Sequence, residues 1–60
     1  MMTLREFKSE IKSFTGWAAF RPWEKANAIE RNAQACRDMG QISHGTYSRA
    51  LDWAFDERRK

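Results

Sequence analysis

Apolar residues recur along this chain at intervals of three and four, the period of a helix, and no stretch alternates as a strand does. Leu4, Phe7, Ile11 and Phe14 form one narrow stripe. Arg5, Lys8 and Lys12 line one side of it, and Glu6 and Glu10 the other. Thr3-Leu4-Arg5-Glu6 has the form of a capping box, with Met2 and Phe7 placed as a hydrophobic staple. Thr15 is a poor continuation and Gly16 a stop, so the pattern predicts a helix near 3–15.

A second helix is predicted over 22–39. Pro22 suits a first turn because it has no amide hydrogen to leave unpaired there, and Gly40 suits the left-handed position after a helix. Ala26, Ile29, Ala33 and Cys36 form its main apolar stripe; Ala28, Ala35 and Met39 form an adjacent one, with Asn32 between the two. Asn32 either bonds a nearby backbone group at a solvated edge or is a buried polar group that fixes the register of a helix pair. A third helix is predicted over 44–58, with Ser43 as its cap and Ile42 and Tyr47 as its staple. Its buried face is expected to be Tyr47, Ala50, Leu51, Ala54 and Phe55, and Arg58, Arg59 and Lys60 suit its C-terminal end. The short connector Gly40-Gln41-Ile42-Ser43 makes the last two helices antiparallel neighbours. The expectation is an all-α fold: one domain over residues 1–60, a small three-helix bundle with a C-terminal helical hairpin.

Composition narrows the class. At 60 residues with 42% hydrophobic and 13% aromatic content, the chain is too apolar for a disordered tail. Its 32% charged residues are too many for a membrane span. One cysteine and one histidine form neither an internal disulfide nor a four-ligand zinc site. No cofactor or metal is expected. The unpaired Cys36, and the absence of an apolar run behind Met1-Met2-Thr3-Leu4-Arg5, point to the cytoplasm. The net charge of +3 is spread evenly, each third of the sequence carrying one more base than acid. A chain that lives on phosphate contacts gathers its bases into a stripe or tail.

Candidate chemistry is sparse. Cys36 and His44 are the only nucleophile and base of their kind, and the first sits on an apolar stripe while the second reads as a solvated surface group. Without a phosphate loop or paired carboxylates, an enzyme is not expected. The span from Ala33 to Phe55 superficially resembles a helix-turn-helix unit, with Ser48, Arg49, Arg58 and Arg59 as its nucleic-acid contacts. Ile42 stands one place too late for that pattern, and Asp52 and Asp56 would face phosphates. The Arg5, Lys8 and Lys12 flank reads better as charged stems covering the rim of the apolar stripe.

The aromatics that fall off the stripes are the most informative residues. Trp17, Phe20 and Trp23 cluster in and just after the apolar connector Gly16–Arg21, where the favoured reading is that they complete the core and the other is that they bind a partner. Trp53 lies across its helix from Leu51 and Phe55. Either the third helix is buried on two sides, or Trp53 anchors a contact with another molecule, the reading favoured for so small a chain. Trp53, Trp17, Phe20 and Trp23 are therefore the candidate partner-binding residues.

Over its whole length, from Met2-Thr3-Leu4-Arg5-Glu6-Phe7-Lys8 to Ala54-Phe55-Asp56-Glu57-Arg58-Arg59-Lys60, the chain resembles the short early-region proteins of lambda-like phages. Those are encoded between the excisionase and exonuclease genes. The resemblance rests on no diagnostic motif and carries over no functional residue. It implies an accessory factor made early in infection, in the bacterial cytoplasm, that biases host takeover or the choice between lysis and lysogeny. The leading expectation is a non-enzymatic protein-interaction module that binds a host or phage protein, with a homodimer as one form of that contact. The alternative is a small DNA-binding regulator.

Overall fold

The computed structural model describes all 60 residues. It has three α-helices, α1 (Leu4–Lys12), α2 (Pro22–Asp38) and α3 (His44–Arg58), with a short 3-10 turn at Trp17–Ala19 and no strand. The all-α bundle is as expected. α2 and α3 form the main interface, and α1 packs across both. Arg58 at the end of α3 bonds Asn27 and Glu30 early in α2, while Arg37 near the end of α2 lies over the ring of Tyr47 near the start of α3. The two helices are therefore antiparallel along their length.

The predicted start signals operate as chemistry. Thr3 Oγ1 accepts from the Glu6 amide at 3.2 Å, and Glu6 Oε1 accepts from the Thr3 amide at 3.0 Å. The Thr3 amide, then the Thr3 hydroxyl, holds the Glu6 carboxyl below its ordinary range. The Glu6 half of the cap is therefore fully formed at neutral pH and weakens as pH falls through that lowered value, while the Thr3 hydroxyl keeps its bond to the Glu6 amide. α2 has half of such a box: the Arg21 amide donates to Glu24 Oε1 at 2.9 Å, and an arginine side chain has no acceptor with which to reciprocate. At the other end of α2, Gly40 has φ 73°, its amide donates to the Arg37 carbonyl, and the Gln41 amide donates to the Cys36 carbonyl. This is a Schellman ending, and it turns the chain directly into the buried Ile42.

Ser43 caps α3 through its Oγ, which accepts from the Thr46 amide at 3.1 Å. Ser43→Ala is expected to cost about 0.5–2 kcal/mol. The exposed His44→Ala should stay within about 0.5 kcal/mol. Urea midpoints compare the two, and a larger loss at His44 than at Ser43 would contradict this cap.

Eight residues form the core: Phe7 and Ile11 of α1, Ala26, Ile29 and Ala33 of α2, Ile42 of the connector, and Ala50 and Ala54 of α3. The four alanines let α2 and α3 approach closely, so larger side chains lie along the flanks of the hairpin instead of between its helices.

Three expectations need correction. α1 ends at Lys12 and not near residue 15, and Phe14, read as part of its stripe, is exposed. The Ser13 hydroxyl donates to the Glu10 carbonyl at 2.6 Å, and Gly16 takes a left-handed φ of 81°. A serine that bonds the backbone in this way competes with the helix for its acceptors. The second stripe of α2 packs only at Ala28, which is half-buried, since Ala35 is exposed and Met39 is 71% exposed. On α3 the buried arc is rotated by about 60° from the expected one, at about 100° per residue. Ala50 and Ala54 are buried, Tyr47 and Leu51 half-buried, and Trp53 packs against the core while Phe55 does not. α3 touches both α2 and α1, and Trp53 faces α1 instead of pointing away from the bundle.

Asn32 follows the simpler of its two readings. Its Nδ2 donates to the Ala28 carbonyl at 2.8 Å, one turn back along α2.

Candidate functional site

Of the four candidate aromatics, the structure brings three together. Trp17 sits on the 3-10 turn, held there by the left-handed Gly16 before it and by the Phe20 amide, which bonds the Trp17 carbonyl behind it. Its ring centroid is 5.9 Å from that of Phe20 and 5.9 Å from that of Trp53, with tilted planes. Trp53 Nε1 donates to Glu57 Oε1 at 3.3 Å, and Lys60 Nζ reaches the same oxygen at 3.2 Å. The polar edge of this indole is thus satisfied within α3, and its flat surface meets α1. Trp23 takes no part. It is 57% exposed on the flank of α2 that also carries Asn27 and Glu30, at helical spacings of four and seven.

Three lysines cover the paired indoles. Lys8 Nζ lies 5.3 Å and Lys12 Nζ 5.9 Å from the Trp53 ring, and Lys25 Nζ lies 5.4 Å from the Trp17 ring. These distances are within the range of cation–aromatic attraction, about 0.5–1 kcal/mol each at exposed sites. Of the Arg5, Lys8 and Lys12 flank, Lys8 and Lys12 reach over the Trp53 ring, while Arg5 is exposed. Sequence reasoning missed this grouping. The available signal was a lysine pair four residues apart beside a buried stripe, together with a tryptophan placed across its helix from the expected buried face.

Phe55 was also missed, having been read as core. It is 58% exposed, with the Arg59 guanidinium 5.2 Å from its ring. Hydrophobicity alone pointed the wrong way here, because nothing lies opposite that position to bury it.

The residues named for nucleic-acid contact divide. Ser48 and Arg49 are exposed on α3, whereas Arg58 is bonded to Glu30 at 3.0 Å and Arg59 to Asp56 at 3.0 Å. The antiparallel hairpin also differs from the steeply crossed helix pair of a helix-turn-helix.

Burial first, and the Glu10 carboxylate second, push the Cys36 thiol up, so it is protonated at neutral pH. His44 is exposed at the start of α3, its ring 6.2 Å from that of Tyr47. No three His, Cys, Asp or Glu side chains converge on a point where a metal would sit. No helix is long and apolar enough to cross a membrane. No protein-family model, curated protein or solved structure matches the chain.

Proposed function

We propose that this chain is a non-enzymatic protein-interaction module, an accessory regulator that binds a host or phage protein early in infection, in the bacterial cytoplasm. The observation that carries the protein-binding part is the two most exposed aromatics, both outside the closed core. Trp23 and Phe55 are 57% and 58% exposed on the two helices of one hairpin. Large apolar side chains held on rigid helices lose little entropy on contact, and residues of this kind dominate the energetics of protein interfaces. The phage part rests on the resemblance of the whole sequence.

The test is retention of a partner from phage-infected cells by the immobilised chain, repeated with Trp23→Ala/Phe55→Ala. Both positions are exposed, so circular dichroism should be unchanged. Binding of the retained protein, measured after purification, should weaken at least about fivefold, the equivalent of about 1 kcal/mol. Sedimentation of the same two samples decides whether the partner is a second copy. Retention that ignores both aromatics would overturn the reading. So would micromolar binding to duplex DNA that falls steeply with log salt.

A further inference from the structure

We infer that the face built from Trp17, Trp53, Lys8, Lys12 and Lys25 docks an acidic segment of a partner protein, a run of Asp and Glu interspersed with apolar residues. The inference rests on the reading of the chain as a protein-binding module and adds the chemistry of what is bound. It starts from unbalanced charge. The ion pairs of the chain engage Arg37, Arg58, Arg59 and Lys60, and none of them reaches Lys8, Lys12 or Lys25. Glu57, the carboxylate bonded to Trp53, is shared with Lys60. Arg5, Arg21, Arg31 and Arg49 also lie outside the ion pairs; what sets Lys8, Lys12 and Lys25 apart is that the three meet over two adjoining rings.

The fold does not require that arrangement. One ammonium over Trp53 gains the attraction of the ring; a second, from the same helix face, adds like-charge repulsion. Carboxylates placed among Lys8, Lys12 and Lys25 would remove the repulsion and keep the ring contacts. Apolar residues between those carboxylates would cover the half-exposed indoles.

The same geometry disfavours nucleic acid. Single strands bind aromatic side chains by stacking a base on an open ring face. Trp17 and Trp53 are half-buried, tilted against each other and overlaid by lysines. A carboxylate on a flexible side chain reaches an ammonium without displacing any ring.

The experiment uses the full chain and three labelled probes followed by fluorescence anisotropy: a synthetic Glu/Leu peptide, its Gln/Leu counterpart, and oligothymidylate. The Glu/Leu peptide is expected to bind, the Gln/Leu peptide not to bind, and affinity to fall between about 50 mM and about 200 mM salt. Lys8→Gln/Lys12→Gln/Lys25→Gln should weaken the Glu/Leu peptide at least about tenfold. Gln matches Lys closely in helix propensity, and circular dichroism checks that the helices persist. Should the triple variant lose helix, Lys12→Gln alone, at an exposed position, is expected to weaken binding at least about twofold. Arg37→Gln removes the same charge at the far end of α2 and should leave binding within about twofold. The inference is overturned if the Glu/Leu peptide does not bind, if the lysine variants bind it as the native chain does, if Arg37→Gln weakens it as much, or if oligothymidylate binds more tightly with the same lysine dependence. A partner still retained through Trp23 and Phe55 after any of these results would leave the module reading standing. Loss of both would remove the two together.

Discussion

Phe7→Ala is expected to cost about 3–5 kcal/mol, the range for truncating a fully buried aromatic. Phe7 is 1% exposed and, with Ile11, is one of the two fully buried residues of α1, beside which Leu4 packs half-buried. Whole domains are stable by only about 5–15 kcal/mol, and one this short, without a disulfide, belongs at the lower end. The variant should therefore be largely unfolded, or hold a hairpin from which α1 has come away. Urea titration followed by circular dichroism and tryptophan emission separates the two outcomes. Release of α1 takes Lys8 and Lys12 off Trp53 and exposes the indole to water, shifting its emission to the red while much of the helical signal remains. A loss below about 1 kcal/mol would mean that α1 is not part of the cooperative unit.

Ile29→Ala should cost about 2–5 kcal/mol, whereas Met39→Ala on the same helix should stay within about 0.5 kcal/mol. Ile29 is fully buried, the largest side chain that α2 places between its alanines, so its removal leaves a cavity that close-packed helices cannot collapse to fill. Met39 stands in water beyond the last turn. Thermal unfolding of the two variants under one set of conditions tests the assignment of a single working stripe to α2. Equal losses would restore the second stripe.

The legible part of the fold was local. Thr3 with Glu6, Pro22, Gly40 and Ser43 each act within four residues of themselves, and the helix starts and the end of α2 lie where those groups place them. The illegible part was decided by neighbours distant in sequence. Leu51 and Phe55 lie to one side of Ala50 and Ala54 on α3, with Trp53 on the other, and periodicity admits either arc as the buried one. The choice is made by α1, which crosses on the Trp53 side and leaves Phe55 uncovered. The end of α1 was misplaced for a different reason. Phe14 continues the apolar spacing, but the Ser13 hydroxyl captures a carbonyl and the chain turns before Phe14 can be buried. The candidate site shares this history. Trp17, Phe20, Trp23 and Trp53 were all visible as aromatics outside the helical pattern, but the pairing of Trp17 with Trp53 joins a connector to a helix that no local rule links.

The Met2 amide donates to the Gln41 carbonyl at 2.8 Å, fastening the start of the chain to the turn of the hairpin. That bond spans most of the sequence, while α2 and α3 meet through one tight turn. Closing the longer loop costs more chain entropy, so the hairpin is the part that can assemble first. α1, at nine residues, is too short to hold a helix in water by itself. It leaves the ribosome ahead of the hairpin that receives it, so α1 is expected to gain its helix only once the turn at Gln41 has formed.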